Sequence, residues 1–209
     1  MEAELILKQI AEEVQNCTRC PLHKARRHPV PGEGPANAEI MFIGEAPGFY
    51  EDVQGRPFVG AAGKFLDELL QSVGLSRSEV FITNIIKCRP PGNRDPQPEE
   101  LEGCEPYLDR QIEAIQPKVI VTLGRYSMNK FLPGAKISAL HGQVFKVNGR
   151  LIVPMYHPAA ALHQPSLRPK VEADFAILPD VLAGRVEAHE YIAPTSRSKK
   201  DGPQQLSLF

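Results

Sequence analysis

Four cysteines constrain the fold of this 209-residue chain more than any other feature. Cys17 and Cys20 enclose two residues, and a long segment separates them from the second pair. That second pair, Cys88 and Cys104, encloses fifteen residues. Thiolates bind zinc and iron–sulfur clusters, and four ligands complete either kind of site without leaving a cysteine over. The wide spacing of the second pair favours a cluster that joins distant parts of the chain, with a zinc ion or four reduced thiols as the alternatives.

The charge of the chain limits how it could contact nucleic acid. A formal net charge of -1 excludes a uniformly basic surface, so such contact would need local basic patches. The candidate patches are Lys24, Arg26 and Arg27; Lys87, Arg89 and Arg94; and Arg168 with Lys170. For each patch taken alone, a solvated charged face is the simpler explanation. No apolar segment is long enough to span a bilayer and the N-terminus lacks a signal-peptide pattern, so we expect a cytoplasmic protein.

Apolar periodicity predicts a single α/β domain. Apolar residues at helical spacing predict helices at 2–15, 60–73, 98–115 and 167–183. Short apolar runs predict strands at 40–43, 80–86, 119–123 and 151–156, the last after a hairpin-like turn at Asn148-Gly149. Because strands alternate with helices, we expect a mostly parallel sheet covered on both faces.

Polar and glycine residues follow these strands, where open α/β sheets bind their ligands. The turn at 44–48 follows the first strand, and Asn84 lies near the end of the second. The glycines of the 44–48 turn let the backbone approach a ligand. The dinucleotide-binding motif G-x-G-x-x-G is absent, however, and a plain strand-to-helix turn explains these glycines equally well. His157 follows the fourth strand, and the proline after it predicts that His157 lies at the N-terminus of a helix. The main-chain amides and the positive dipole end of a helix N-terminus stabilise a developing anion. The alternative for His157 is a helix cap or a core histidine.

Four sequence segments, in their order along the chain, and the cysteine spacing together give this sequence a resemblance to the family 4 uracil-DNA glycosylases. The resemblance runs from about residue 10 to about residue 183. The segments are Gly-Glu-Ala-Pro-Gly at 44–48, Gly-Arg-Pro-Phe-Val-Gly at 55–60, Thr-Asn-Ile-Ile-Lys-Cys-Arg-Pro-Pro at 83–91 and His-Pro-Ala-Ala at 157–160. The resemblance implies a three-layer α/β/α fold around a four-stranded parallel sheet, in a domain at 1–185. It also implies one four-iron four-sulfur cluster, held by Cys17, Cys20, Cys88 and Cys104.

The implied activity is that of a monofunctional base-excision-repair glycosylase, which hydrolyses the N-glycosidic bond of uracil in DNA and leaves an abasic site. Such an enzyme flips the base into a pocket. By the resemblance, Phe58 would stack on the uracil and Asn84 would pair with its O4 and N3 edge, which rejects cytosine. His157 would stabilise negative charge at O2, helped by backbone amides of the turn that includes Gly44 and Ala46.

The sequence departs from the best-known uracil-DNA glycosylase pattern at Ala46, where that pattern has an aspartate that handles the water. We expect Glu45 to position the water; the alternatives are that Glu51 does so, or that the reaction depends mostly on electrostatic stabilisation. Glu51 would instead fill the pocket beside C5 of uracil and exclude thymine, unless it is an exposed loop acid.

Three further residues are expected to contact DNA. Leu162 would wedge into the gap that the flipped base leaves, unless it only packs its helix. Arg89 and Arg168 would contact phosphates.

The last segment of the chain predicts a separate function. From about residue 186 the composition is polar and rich in helix breakers, which predicts a disordered tail at 186–209. The tail ends in a pentapeptide with three large apolar residues, which resembles the bacterial sliding-clamp binding motif: Gln205, Leu206, Ser207, Leu208 and Phe209. A fold-back onto the domain is the alternative. We therefore expect a bacterial, nucleoid-associated monomer that binds uracil-containing DNA and the clamp.

Two other functions fit parts of the sequence. One is a superfamily member that acts on other deaminated bases or captures uracil covalently. The relatives that capture uracil carry a different motif and an added basic loop with a nucleophilic histidine, and this sequence has neither the motif nor the loop. The other is a non-catalytic, clamp-associated DNA-binding module, which the cysteines and the tail alone would allow.

Overall fold

The computed structural model describes residues 1–193, and within them six strands form one mixed sheet. The strands are β1 (Ile40–Gly44), β2 (Phe81–Asn84), β3 (Val119–Leu123), β4 (Phe145–Val147), β5 (Arg150–Met155) and β6 (His189–Glu190). Their order is β2-β1-β3-β5-β4-β6. The first four in this order are mutually parallel, β4 is antiparallel to β5, and β6 is parallel to β4.

The predicted α/β class is confirmed, but the sheet has more strands than the four expected. The four predicted strands lie side by side, and β4 and β6 extend the sheet beyond β5. β4 joins β5 through a two-residue turn in which Asn148 and Gly149 both have positive φ, of 49° and 80°. That geometry matches the twist of an antiparallel pair, so the hairpin forms locally. Its first strand was not predicted because three residues carry too little periodicity.

Helices cover both faces of the sheet. They are α1 (Glu2–Gln15), α2 (Phe49–Gln54), α3 (Ala61–Ser72), α4 (Pro98–Ile115), α5 (Arg125–Phe131), α6 (Ile137–Leu140), α7 (Pro158–His163), α8 (Arg168–Ala176) and α9 (Leu178–Leu182). The single helix predicted at 167–183 is two helices that meet at Ile177. Pro179 explains the break, because a proline lacks the amide that would continue the helical hydrogen bonds.

Alternate residues of β1 pack against different helix layers. Phe42 lies in one core with Leu66 of α3, and its ring stacks on Phe175 of α8 with 5.9 Å between ring centroids. Met41 points to the opposite face and lies in a second core with Leu108 of α4. Because both faces of the strand are buried, β1 is apolar throughout. The architecture is therefore three layers, with the sheet in the middle.

The segment that begins the predicted tail packs on this domain. Val186 and Ala188 contact the first core, and Tyr191 donates a hydrogen bond to the main-chain oxygen of Pro133 at 2.8 Å. Val186, Ala188 and Tyr191 thus pack on the domain beyond residue 186, where the tail was expected to begin. The rest of that tail, including Gln205–Phe209, lies outside the described residues.

Over residues 1–193, no helix combines the length and the apolar character that crossing a membrane requires.

Candidate active site

A cavity of about 380 Å³ opens beyond the carboxyl ends of β1, β2 and β5. We call it the active-site cavity. It brings together six residues that the sequence predicted: Glu45, Ala46, Glu51, Phe58, Asn84 and His157. The other lining residues are Pro47, Gly48, Ala62, Pro90, Asn93, Arg94, Asp95, Pro96, Ala159 and His163. The position is the one that parallel α/β sheets use for ligands.

Gly44 lies beneath the cavity and makes room for two of its side chains. It pairs in register with Asn84 of β2. A Cβ atom at Gly44 would lie 2.4 Å from Asn84 Oδ1 and 2.6 Å from Cζ of Phe58. Both distances are too short for real contacts, so any larger residue here would displace the amide and the aromatic ring.

The side chain of Asn84 is almost fully buried, at 2% exposure, and its Oδ1 has no hydrogen-bond partner among the described residues. Its main chain, by contrast, is held in place, because Nζ of Lys87 donates to the Asn84 carbonyl at 2.8 Å. Lys87 itself is buried and also donates to Thr83 Oγ1 at 2.6 Å and Gln111 Oε1 at 2.8 Å. Leaving a buried polar atom unpaired costs free energy, so a ligand that pairs with this amide gains affinity.

His157 presents a defined hydrogen-bond donor. Its Nδ1 accepts a hydrogen bond from the Ala159 amide at 3.1 Å, so the neutral ring carries its proton on Nε2. Burial lowers the pKa of His157 to about 4, and the charge of Glu51 opposes that shift only in part. The ring stacks near Phe58, with 5.4 Å between centroids and 22° between planes. At neutral pH the side chain is therefore an uncharged donor at the N-terminus of α7.

Phe58 has a backbone conformation that is unusual for a residue with a side chain, with φ of 50°. Two interactions hold it. Arg77 donates from Nη1 to the Phe58 carbonyl at 3.0 Å and from Nη2 to the Pro57 carbonyl. Gly63 packs so closely below that its Cβ would lie 1.8 Å from the same Phe58 oxygen. The sequence did not identify Arg77, because a lone arginine in a polar segment carries no signal of such a contact.

The carboxylate of Glu51 braces two loops. Its Oε2 accepts a hydrogen bond from the Gly48 amide at 3.1 Å. Its Oε1 accepts from the amides of Val59 and Gly60, at 2.9 and 3.0 Å. Charge-assisted hydrogen bonds of this kind are strong, so Glu51 fixes the loop that carries Phe58 against the turn after β1.

Glu45 has a different environment. Its Oε1 accepts a hydrogen bond from the Tyr126 amide at 3.0 Å, near the start of α5. Burial raises the pKa of Glu45, and the Tyr126 amide and the charge of Arg125 oppose that rise. Gly124, with φ of 101°, makes room for the carboxylate, because a Cβ there would lie 2.4 Å from Glu45 Oε1.

The three predicted DNA contacts are not equally close to the cavity. Leu162 is exposed on α7, next to His163, which lines the cavity. Arg89 precedes the lining residue Pro90, and its Nε donates to Asn93 Oδ1 at 2.7 Å. Arg168 does not line the cavity.

The charge of Arg168 is shared with carboxylates. It pairs with Glu172 at 2.8 Å and Glu68 at 3.3 Å, and its guanidinium lies over the Phe65 ring. These contacts leave less positive charge for a phosphate than an unpaired arginine offers.

The four predicted cysteine ligands line a second, much smaller cavity of about 10 Å³, which we call the cysteine cavity. Cys17 and Cys20 follow α1, Cys88 follows β2, and Cys104 lies within α4. Burial raises the pKa of the Cys20 and Cys88 thiols, and raises that of Cys104 to about 11.

Nitrogen donors surround the sulfur atoms of the cysteine cavity. Nη1 of Arg26 donates to Cys88 Sγ at 3.2 Å, and the Lys87 amide donates to Cys104 Sγ at 3.4 Å. Such donors stabilise thiolate ligands. In the described part of the chain, no three His, Cys, Asp or Glu side chains form a group that could hold one metal ion. Four thiols with nitrogen donors beside them are a donor set that both iron–sulfur clusters and zinc ions use.

A family model described as the uracil DNA glycosylase superfamily matches residues 31–178. The chain belongs to this superfamily. It is 48% identical to the type-4 uracil-DNA glycosylase of Saccharolobus solfataricus over 191 residues, and this alignment covers 86% of this chain and 88% of the relative. The type-4 uracil-DNA glycosylase of Sulfurisphaera tokodaii is 50% identical over 181 residues, 81% of each chain. That of Archaeoglobus fulgidus is 52% identical over 178 residues, 81% of this chain and 89% of the relative. The family resemblance predicted from the sequence is confirmed.

Proposed function

We propose that this protein is a uracil-DNA glycosylase of base excision repair, which hydrolyses the N-glycosidic bond of uracil in DNA and leaves an abasic site. The observation that carries the proposal is the oxygen of the buried Asn84 amide, which has no partner in the part of the chain that the structure describes and lies in a cavity with a neutral histidine donor. The relatives named type-4 uracil-DNA glycosylase, at 48–52% identity, support the same activity.

In this proposal Asn84 selects the base. Its amide nitrogen donates to O4 of a flipped uracil, and its oxygen accepts from N3–H. Cytosine has an amino group in place of O4 and no proton on N3, so it would leave both groups of the buried amide unpaired. A site built to pair with a substrate in this way rejects the mismatched analogue strongly. Phe58 stacks on the ring of the base.

His157 stabilises the leaving group. When the glycosidic bond breaks, its electron pair passes to the uracil, and negative charge develops at O2. The Nε2–H of the neutral imidazole donates to that oxygen, and main-chain amides of the turn at 44–48, including that of Ala46, add further donors. Because burial keeps the ring neutral, its donor needs no proton uptake before the reaction.

Glu45 positions the water that attacks C1′ of the sugar and accepts its proton. We prefer it to Glu51, because three main-chain amides already occupy the Glu51 carboxylate. The raised pKa of Glu45 suits a group that takes up a proton during the reaction. Glu51 fixes the wall of the pocket, which is the side where the methyl group of thymine would have to fit.

Cys17, Cys20, Cys88 and Cys104 would hold a four-iron four-sulfur cluster. Hydrolysis needs no electron transfer, so the cluster would supply a structural link between α1, the end of β2 and α4. Gln205–Phe209 would bind a sliding clamp, and the protein would act as a monomer.

The test is cleavage of matched oligonucleotides that contain uracil, thymine, cytosine or hypoxanthine at one position. The expected result is free uracil, with strand breakage only after alkali treatment and only in the uracil substrate. Comparable release of hypoxanthine would favour a broader deaminated-base specificity. Breakage without alkali would contradict a monofunctional enzyme, and no release of any base would contradict the glycosylase activity.

A further inference from the structure

An exposed aromatic pair lies outside the active-site cavity, at the start of α2. Phe49 is 45% exposed and Tyr50 is 59% exposed, and their rings meet edge to face with 5.4 Å between centroids. Two arginines flank Phe49. The guanidinium carbon of Arg27 lies 5.6 Å from the Phe49 ring centroid, and that of Arg89 lies 5.2 Å from it. We call these four residues the aromatic–arginine platform.

The two arginines of the platform differ from most others on the surface. Seven others form ion pairs with carboxylates, namely Arg56, Arg77, Arg94, Arg110, Arg125, Arg168 and Arg185. Within residues 1–193 neither Arg27 nor Arg89 has a carboxylate oxygen within the 4.0 Å of an ion pair. Two positive charges beside one ring repel each other, so an anion that bridges them would be bound favourably.

The main chain holds the platform in place. The Arg27 amide donates to the buried Asp52 carboxylate at 2.9 Å, which fixes the 27–28 segment against α2. Nε of Arg89 donates to Asn93, which lines the active-site cavity, so the remaining guanidinium nitrogens are available to a ligand. The platform is therefore fixed in position but open to solvent.

The platform borders the active-site cavity. Phe49 follows directly after Gly48, and Arg89 comes directly before Pro90, and both neighbours line the cavity. A DNA strand with one nucleotide inserted in the cavity would place its adjacent nucleotides along the cavity rim, and the platform forms one side of that rim. Those nucleotides offer what the platform lacks: phosphates for the arginines and an unpaired base for the aromatic rings.

We propose that the aromatic–arginine platform binds the nucleotide next to the uracil on the same strand, with Arg27 and Arg89 on its phosphates and Phe49 and Tyr50 against its base. This inference rests on the proposed function and extends it to a second site on the DNA. Since the platform lies on one side of the cavity, it recognises the strand on only one side of the uracil.

One-sided substrates test this asymmetry. Single-stranded oligonucleotides would extend from the uracil only in the 5′ direction, only in the 3′ direction, or by one nucleotide each way. The measured quantity is the enzyme concentration that half-saturates single-turnover cleavage. The double variant Phe49→Ala/Tyr50→Ala should raise this half-saturating enzyme concentration about tenfold for one of the two one-sided substrates and leave it unchanged for the other. Leu5→Ala, which removes an exposed apolar side chain on α1, is the matched control.

Equal losses on the 5′ and 3′ substrates, or no loss on either, would overturn the proposal. Equal losses would indicate that the double substitution disturbs the cavity itself.

A second measurement does not depend on uracil excision. Binding of uracil-free single-stranded DNA, followed by fluorescence anisotropy at several salt concentrations, reports the number of phosphate contacts. Each of Arg27→Gln and Arg89→Gln should reduce the slope of log affinity against log salt by about 0.7, while Arg27→Lys and Arg89→Lys should retain it. Arg185→Gln, which removes an arginine paired with Asp180, is the control and should leave the slope unchanged.

The two measurements separate the two proposals. A reduced slope in a protein that releases no uracil would refute the glycosylase and keep the platform. Normal uracil release with unchanged slopes would refute the platform and keep the glycosylase.

Discussion

The two cavities of this protein are built in opposite ways. The active-site cavity has about 380 Å³ of space and contains a buried amide oxygen that has no hydrogen-bond partner within residues 1–193. The cysteine cavity has about 10 Å³, and nitrogen donors surround its sulfur atoms. The first keeps polar groups unpaired at a cost in stability, as a site for a transient ligand requires. The second surrounds its sulfur atoms with nitrogen donors, as a site for thiolate ligands requires.

One short segment serves both cavities. Asn84 ends β2 in the active-site cavity, and Cys88 lies four residues later in the cysteine cavity. Between them, Lys87 donates from its side chain to the Asn84 carbonyl and from its amide to Cys104 Sγ. Lys87 therefore links the cysteine cavity to the strand end that carries Asn84. Substitutions that affect one cavity without the other test this division of roles.

The largest effect on cleavage is expected from Asn84→Ala and His157→Ala. Removing the His157 donor to a developing anion typically costs about a hundred- to a thousandfold in rate, and removing the Asn84 amide takes away both of its hydrogen bonds to the base, which we expect to cost a similar factor. Single-turnover cleavage of uracil-containing DNA should fall by that amount, while circular dichroism and melting temperature stay close to those of the unsubstituted protein. His189→Ala, which changes an exposed histidine on β6, is the control. Near-normal rates in folded Asn84 or His157 variants would remove those residues from the mechanism.

Glu45→Gln and Glu51→Gln should separate a chemical role from a structural one. Glu45→Gln removes the proton acceptor, so the single-turnover rate should fall by about a hundredfold without a large change in melting temperature. Glu51→Gln weakens three hydrogen bonds from main-chain amides, so it should lower the melting temperature and loosen discrimination against thymine. The reverse pattern, with a large rate loss only in the Glu51 variant, would reassign the water to Glu51.

The cysteine cavity should respond in stability rather than in base choice. The purified protein should be brown and contain iron and sulfide. Cys88→Ser and Cys104→Ser should lose iron and lower the melting temperature by roughly 10 °C or more. The ratio of uracil to cytosine cleavage should stay unchanged in whatever fraction remains folded. Stoichiometric zinc without iron in anaerobically prepared protein would contradict the cluster.

The elements that local sequence determines were predicted best. α4 (Pro98–Ile115) starts at a proline after a capping residue, Gln97, whose amide bonds to Glu100, and β3 (Val119–Leu123) is an uninterrupted apolar run. Both match their predicted bounds. The break at Pro179 and the short β4 were missed, because the same apolar residues fit one long helix and three residues carry little periodicity.

The residues of the candidate site were predicted through motifs, but their partners were not. Glu51 reaches Val59 and Gly60 across a loop, and Arg77 reaches Phe58 nineteen positions away. Such contacts depend on how the loops pack in three dimensions, and a single sequence carries no periodic signal for them. The platform was missed for the same reason, since Arg27 and Arg89 are distant in sequence and meet only at the Phe49 ring.

The pH dependence of stability offers a smaller test of the active-site cavity. The pKa of His157 is about 4 in the folded protein, below the usual value of 6.5. The unfolded chain therefore binds a proton more readily, and the stability of the folded state should fall as pH drops from about 6.5 to about 4. The variant His157→Gln should lack this component, so the difference in unfolding free energy between it and the unsubstituted protein should change across that range. Parallel curves for the two proteins would contradict a histidine that stays neutral in the folded protein.

The smallest effect on cleavage is expected from the C-terminal pentapeptide. Its alternation of polar and apolar residues suits an extended segment in an apolar pocket, with Gln205 as a polar anchor. Deleting Gln205–Phe209 should leave cleavage of short free oligonucleotides within about twofold of normal, because the predicted active-site residues all lie earlier in the chain. The same deletion should weaken binding to a bacterial sliding clamp by about a hundredfold, since a few apolar anchors carry most of the affinity of such contacts. Leu208→Ala/Phe209→Ala should reproduce that loss, and Ser207→Ala should not. Equal clamp affinity of the full-length and shortened proteins, measured by surface plasmon resonance, would refute the clamp proposal, whereas slower cleavage after the deletion would indicate that the segment folds back onto the domain.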